Sequence, residues 1–263
     1  MTDHPCGGCG GCGGGHAVEP QAPVKASMNP LSQVKQVIGI VSGKGGTGKS
    51  LVTGLLSSGL LRRKHSVAVL DADIACPAIP QMFDLPQGAT RGEAGLYPAL
   101  TESGLRVMSI SLLTEKESDL ITTRGASMAA IVEQLFSNLV WDSTDYLLLD
   151  LPPGLGDVAQ LAFERLPLDG LIVVTTPQEL VGHAVRRTIR LAQAMDVPIL
   201  GLVENFSKSF GESATDAISR EFDLPILDRL PLDPQLSAAA DGGKLEALAT
   251  PCLSNTIQTL ESL

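Results

Sequence analysis

The chain has 263 residues and a formal net charge of −10, and 44% of its residues are hydrophobic but only 3% aromatic. This length suits one large α/β domain, and the acidic balance argues against non-specific binding of nucleic acid through a basic surface. An aliphatic composition of this kind is typical of strands buried on both faces of a parallel sheet. Because no apolar run is long enough to span a membrane and no apolar signal segment opens the chain, we expect a cytoplasmic protein.

Residues 1–31 predict a flexible, disordered tail, and residues 32–263 one folded domain. The tail is rich in glycine and proline and has no periodicity, so it cannot bury a core. Cys6, Cys9 and Cys12 follow one another at C-x₂-C-x₂-C spacing, with two histidines nearby. Thiolates at this spacing can chelate a soft metal or an iron–sulfur cluster. Three cysteines leave a four-ligand site one short, so a metal site completed by another ligand and an unliganded tail both remain open.

The strongest motif is G-K-G-G-T-G-K-S at residues 43–50, which fits the phosphate-binding pattern G-x-x-x-x-G-K-[ST] completely. A β-branched apolar run precedes it and a helical pattern over residues 51–64 follows it. Glycines let backbone N–H groups converge on phosphate oxygens, and the helix N-terminus favours negative charge. Lys49 can reach the β- and γ-phosphates, and the Ser50 hydroxyl can ligate Mg²⁺. The predicted nucleotide-binding residues of this loop are Gly43, Lys44, Gly45, Gly46, Thr47, Gly48, Lys49, Ser50 and Leu51.

Lys44 indicates which type of phosphate-binding loop this is. With a second lysine near its start, the loop resembles the deviant Walker A motif K-G-G-x-G-K-[ST] of the MinD/ParA superfamily. That superfamily of dimeric ATPases includes chromosome-partition and division-site ATPases, the nitrogenase iron protein and the iron–sulfur scaffold ATPases. In it the extra lysine reaches across a dimer to the partner's nucleotide. The resemblance therefore implies an ATP-sandwiched homodimer in which Lys44 acts in trans.

Aspartates follow two apolar strands of the predicted sheet, at the edge where ligands bind in parallel α/β folds. Asp71-Ala72-Asp73-Ile74, with prolines behind it, resembles switch I of the iron–sulfur scaffold branch, which implies that Asp73 positions the attacking water and senses Mg²⁺. Cys76 departs from that branch, which usually has glycine there, and it is either a small packing residue or a reactive thiol. The second strand ends at Asp150 and continues L-P-P-G, which resembles a Walker B strand and switch II. Asp150 would then support Mg²⁺ directly, through water or through Ser50.

The remaining pattern alternates strands and helices. We predict strands at residues 105–113, 170–176, 199–204 and 225–230, and helices at 126–139 and from 179 to about 195. Met128 is assigned to the core, and the arginines at 186, 187 and 190 to a solvated helix face. Asn205 matches the asparagine that reads the adenine edge in the resembling family, although a turn asparagine is the alternative. Pro231 opens a segment that resembles the loop closing over the base.

One element of the resembling family is missing. The bacterial and archaeal scaffold ATPases carry C-P-x-C after this asparagine, and it bridges a [4Fe–4S] cluster between two subunits. Residues 205–213 of this chain contain no cysteine. With that exception, the chain is identified as a member of the Mrp/NBP35-like (ApbC-type) iron–sulfur cluster carrier ATPases. The strand–helix alternation predicts a doubly wound, mostly parallel α/β sheet, and the resemblance places it in the SIMIBI class of P-loop NTPases.

The resemblance implies a homodimeric carrier that binds ATP and Mg²⁺ and hydrolyses ATP slowly. Lys44, Lys49 and Asp73 would be the catalytic residues. A [4Fe–4S] cluster, if one is bound, would be held by the tail cysteines. Apo iron–sulfur proteins or other assembly factors would be its partners, with neither nucleic acid nor membrane involved. The alternatives are a nucleotide-switched adaptor without a cluster and a partition-type positioning ATPase, which the lack of Lys and Arg over residues 246–263 disfavours.

Overall fold

The computed structural model describes residues 24–85, 88–93, 95–113, 127–207, 213–248 and 252–263. These residues form ten strands and eight α-helices. The strands are β1 Gln33–Ser42, β2 Val67–Asp71, β3 Thr90–Gly92, β4 Gly95–Tyr97, β5 Ala99–Leu100, β6 Arg106–Ser109, β7 Ser143–Asp150, β8 Gly170–Thr175, β9 Ile199–Ser207 and β10 Ile226–Pro231. The helices are α1 Lys49–Arg62, α2 Ile79–Met82, α3 Met128–Asn138, α4 Asp157–Arg165, α5 Glu179–Ala194, α6 Ala214–Phe222, α7 Pro234–Asp241 and α8 Ser254–Glu261.

Eight strands form one sheet in the order β10-β9-β8-β1-β7-β2-β6-β5, while β3 and β4 make a separate antiparallel pair. Every pairing in the large sheet is parallel except that of β5 with β6. Side chains of β1 alternate between two apolar cores: Val37 and Val41 pack on one face, and Ile38 and Ile40 on the other. Since both faces are covered, the predicted doubly wound α/β sheet is confirmed.

Three local predictions were wrong. The strand predicted to reach residue 113 ends at Ser109, and a 3₁₀ turn, Ile110–Leu112, follows because the Ser109 hydroxyl accepts the N–H of Ser111. Met128 is 52% exposed, since it opens α3 directly after the N-cap serine and points away from the buried face. Arg186 is not merely solvated, because it binds Glu221 of α6 at 2.6 Å and so joins α5 to α6.

The segment before β1 packs on the domain. The ammonium of Lys25 donates to the carbonyls of Phe163 and Leu166 at 3.1 and 3.2 Å, and the N–H of Ala26 donates to the carbonyl of Arg165 at 2.6 Å. The chain is thereby fixed to the C-terminal end of α4, where carbonyls lack helical partners. The boundary at residues 31/32 stays a prediction, and the three tail cysteines lie outside the described residues. In the part of the chain described here, no helix is long and apolar enough to cross a membrane.

Candidate nucleotide-binding site

The glycine-rich loop joins the end of β1 to the start of α1, at the carboxyl edge of the sheet. Gly46 and Gly48 have φ values of 80° and 79°, in the left-handed region that glycine adopts without steric cost. A cavity of about 250 Å³ opens beside the loop and is lined by Ser42, residues 44–51, Asp73, Met82 and Pro153. The structure thus brings the predicted phosphate loop and Asp73 to one cavity.

Lys49 and Ser50 meet the end of β7 at Asp150. The Lys49 ammonium lies 2.7 Å from Asp150 Oδ1, and the side chains are 5% and 0% exposed. The Ser50 hydroxyl donates to Asp150 Oδ2 at 2.6 Å. Register explains the meeting, because β7 pairs with β1 and ends beside the strand from which the loop departs. The lysine and the hydroxyl predicted for phosphate and Mg²⁺ are therefore held together by the predicted Walker B aspartate.

Thr53 is a further member of this cluster that the motifs did not indicate. Its hydroxyl lies 2.7 Å from Asp150 Oδ1 and 3.1 Å from the carbonyl of Lys49, and the side chain is fully buried. Thr53 stands four residues after Lys49, so helical periodicity puts it one turn above the lysine on the same face of α1. The four-residue spacing from Lys49 was the one feature of the sequence that could have indicated Thr53. A threonine inside a helix does not reveal a role until its partner in the folded structure is known.

Asp71 organises the segment that carries Asp73. Its fully buried carboxylate accepts the N–H groups of Asp73, Ala78 and Ile79 at 3.2, 3.1 and 3.2 Å. Asp71 also pairs in register with Asp150 on the neighbouring strand. Burial, and next the nearby charge of Asp150, raise the pKa of Asp71 from 3.8 to about 7. Asp71 is therefore a turn-forming carboxylate beside the cavity, distinct from Asp73 in its wall.

Asp73 itself accepts the N–H of Cys76 at 3.2 Å. The Cys76 side chain is exposed, which contradicts the interpretation of this residue as a small packing residue. Its interpretation as a reactive thiol stays a prediction.

Asn205 ties the end of β9 to the phosphate loop. Its Nδ2 donates to the carbonyl of Thr47 at 2.9 Å, its Oδ1 accepts the N–H of Phe206 at 3.0 Å, and the side chain is 2% exposed. A Cβ on Gly48 would lie 2.1 Å from Nδ2. The asparagine thus holds the loop from behind, and its role in reading adenine stays a prediction.

The other predicted site residues separate into two places. Leu51 lines the phosphate cavity, whereas Pro231 lines another cavity of about 490 Å³ together with Glu204 and Arg229. Lys44 borders the phosphate cavity and is exposed, and in the described residues its ammonium has no ion-pair partner. The structure does not bring Pro231 into the phosphate cavity.

The side-chain oxygens beside the phosphate loop are suitable ligands for an Mg²⁺ ion that is also bound by a phosphate group. Among the described residues there is no group of three or more His, Cys, Asp and Glu side chains able to hold a metal by themselves. Mg²⁺ is usually bound by one or two carboxylates together with substrate phosphates and waters. The Ser50 hydroxyl and the carboxylate of Asp150 are hard oxygen donors of that kind, and Asp73 lies in the same cavity wall.

A parallel sheet with this loop, a strand-end aspartate and a second lysine in the loop defines a P-loop NTPase with a deviant Walker A motif. The family described as ParA, NUBPL iron-transfer P-loop NTPase, matches residues 33–262. The chain belongs to this family.

Individual relatives and solved structures are consistent with this family. The chain is 34% identical to an iron–sulfur cluster carrier protein of Clostridium perfringens, over 85% of each chain. It is 36% identical to an iron–sulfur cluster carrier protein of Methanocaldococcus jannaschii, over 81% of this chain and 78% of the relative. A nucleotide-binding protein of Archaeoglobus fulgidus in complex with ADP is 33% identical and superimposes with a TM-score of 0.69, covering 81% of this chain and 88% of its own. The septum site-determining protein MinD of Pyrococcus horikoshii with Mg-ADP, at 21% identity, shares the fold with a TM-score of 0.62, over 88% and 96% of the two chains.

Proposed function

We propose that this protein is a homodimeric iron–sulfur cluster carrier that binds and slowly hydrolyses ATP and delivers its cluster to apo iron–sulfur proteins. The observation that carries the proposal is the match to an iron-transfer NTPase family over residues 33–262 by a chain that keeps a complete phosphate loop. The relatives named as cluster carriers support the cargo. The exchange of nucleotide would drive the loading and release of that cargo.

The described side chains suit ATP hydrolysis. Lys49 now neutralises Asp150 in a buried pair, and it would turn to the β- and γ-phosphates when ATP enters the cavity. Ser50 and, through water, Asp150 and Asp73 would hold Mg²⁺, which neutralises charge on the β- and γ-oxygens when bound. Asp73, fixed by the turn around Asp71, would orient the attacking water.

Lys44 supports a dimer as the active form. It is exposed, borders the phosphate cavity and has no ion-pair partner among the described residues. A lysine so placed can serve the phosphates of a second copy across an interface, where developing charge needs compensation. Switch II, the segment 151–156 between β7 and α4, would couple the nucleotide state to the shape of the dimer.

The cargo site is assigned to the tail cysteines. The segment after Asn205 has no cysteine, and Cys76 and Cys252 are separate from each other in the structure, one exposed and one buried. The C-x₂-C-x₂-C run therefore remains the cysteine group able to hold a cluster in this chain, with a fourth ligand from another group or from the second copy.

The test is anaerobic reconstitution of the full chain with iron and sulfide, followed by MgATP and an apo enzyme that needs a [4Fe–4S] cluster. We expect bound iron, cluster absorption and ATP-dependent recovery of the recipient's activity. A Cys6/Cys9/Cys12→Ser variant should lose the iron, whereas the matched Cys76→Ser/Cys252→Ser variant should keep it.

Two results would contradict parts of this proposal. Iron that persists in the tail variant would move the cargo site elsewhere. ATP hydrolysis without iron in the wild-type chain would contradict the carrier function and favour the nucleotide-switched adaptor.

A further inference from the structure

The buried hydroxyl of Thr53 has a choice of two acceptors. Asp150 Oδ1 lies at 2.7 Å and the carbonyl of Lys49, four residues earlier, at 3.1 Å. One hydroxyl carries one proton, so it serves one acceptor at a time. The carboxylate contact is the shorter one, and hydrogen bonds to charged acceptors are the stronger ones. The geometry therefore directs the Thr53 proton to Asp150.

Asp150 is held at both of its carboxylate oxygens. Oδ1 receives the Lys49 ammonium and the Thr53 hydroxyl, both at 2.7 Å, and Oδ2 receives the Ser50 hydroxyl at 2.6 Å. The carboxylate is fully buried, so bulk water cannot replace a missing donor.

Nucleotide binding changes this arrangement. When Lys49 moves to the phosphates, Oδ1 loses its charged partner, and Thr53 is the remaining side chain among the described residues that donates to that oxygen. Asp71, which pairs with Asp150 on the adjacent strand, is a second acidic side chain and supplies no cation to replace Lys49.

We infer that Thr53 is a positioning residue for the Walker B aspartate. Its hydroxyl keeps Asp150 oriented toward Ser50 and Mg²⁺ while Lys49 leaves to bind phosphate. This inference rests on the proposed use of MgATP. Without the hydroxyl, Asp150 is held less firmly toward Ser50 and supports the metal less well. The expected consequence is a weaker coupling between Mg²⁺ and nucleotide, rather than a general loss of nucleotide binding.

The readout uses a fluorescent, non-hydrolysable ATP analogue. Its dissociation constant with EDTA is divided by its dissociation constant with Mg²⁺, so a high ratio means that Mg²⁺ strengthens nucleotide binding. Thr53→Val has nearly the same volume and lacks the hydroxyl, and it should lower this ratio roughly 10- to 100-fold, the loss expected for a hydrogen bond to a charged group. Thr53→Ser keeps the hydroxyl and should restore the ratio. Thr53→Ala provides a second hydroxyl-free variant if the valine variant fails to fold.

Thr188 offers a matched control. It is a buried threonine of α5 whose hydroxyl donates to the carbonyl of Ala184, four residues earlier, at 3.2 Å, so it has the same helical bond but no carboxylate. Thr188→Val should leave the ratio unchanged.

The outcomes separate the inference from the proposed function. A folded Thr53→Val or Thr53→Ala protein with the wild-type ratio overturns the inference, as does a loss of affinity that is equal with EDTA and with Mg²⁺. A wild-type chain that does not bind the analogue, or binds it equally well without Mg²⁺, contradicts the proposed function instead.

Discussion

Replacing Asp71 with asparagine should flatten the dependence of folding stability on pH. Burial and the charge of Asp150 raise the pKa of Asp71 from 3.8 to about 7. A carboxyl with a raised pKa takes up a proton on folding, so the native state binds more protons than the unfolded state between the two values. This contribution to stability is fully present below about pH 4 and is lost as the pH rises through about 7.

The magnitude follows from the two pKa values. A rise of the Asp71 pKa from 3.8 to about 7 on folding corresponds to a total loss of stability of about 4 kcal/mol as the pH increases. Of this loss, about 2.5 kcal/mol falls between about pH 5 and pH 8. Asparagine carries no charge at any pH, so this part of the dependence of folding stability on pH should disappear. Asparagine can still accept the N–H groups of Ala78 and Ile79, but its amide nitrogen then faces the N–H of Asp73. We expect that lost bond to lower stability at the acidic end by about 1–2 kcal/mol.

The assay is urea unfolding of the nucleotide-free protein with EDTA, at several pH values across this range. The difference between wild type and Asp71→Asn removes the titration of histidines, which both proteins share. Asp145→Asn is the matched control: a contact with Lys35 lowers the pKa of Asp145, so its titration lies below this range. Parallel stability curves for wild type and Asp71→Asn would refute the reasoning, because they would show that Asp71 remains charged in the folded protein throughout.

Two further predictions concern the loop and the segment before β1. Gly48→Ala should weaken nucleotide binding roughly tenfold, because φ is 79° and the new Cβ would lie 2.1 Å from Asn205 Nδ2. Gly46→Ala has a similar φ but no atom within 4 Å of its Cβ, so titration with a fluorescent ATP analogue should show a smaller loss; equal losses would exclude the asparagine contact as the cause. Lys25→Met should lower the free energy of unfolding by about 1 kcal/mol, since α4 loses two bonds to its terminal carbonyls. Urea unfolding measures this, and an equal loss in Lys64→Met would contradict it.

The sequence was informative wherever chemistry depends on consecutive residues. The phosphate loop is local, because a strand, a glycine-rich turn and a helix follow one another in the chain. The aspartates that end β2 and β7 were also predictable, since parallel strands place their carboxyl ends at one edge of a sheet. The register of β2 with β7 then sets Asp71 directly opposite Asp150.

Contacts between distant residues were beyond the sequence. The motif assigns Lys49 to phosphate, but the structure pairs it with Asp150, about a hundred residues further on. The role of Asn205 in reading a base stays a prediction, and the bond of its amide to the carbonyl of Thr47 was not foreseen. Thr53 went unnoticed because a helical threonine acquires meaning only from the carboxylate beside it. Each case depends on which strands become neighbours, and no local pattern specifies that.

The three aspartates at the ends of β2 and β7 look alike in sequence and differ through their surroundings. Asp150 faces an ammonium and two hydroxyls, which aim it at the loop. Asp71 is equally buried but has only N–H donors and a hydroxyl at 3.4 Å, beside the charge of Asp150, and this environment favours its neutral form. Asp73 lies in the cavity wall, where a ligand can reach it. One carboxylate is thereby suited to the metal shell, one to shaping the turn and one to the reacting water. Under the proposed function, an ammonium that left Asp150 for a phosphate would also alter the electrostatic field at Asp71, and it would thereby couple nucleotide binding to the turn around Asp71 through adjacent strands.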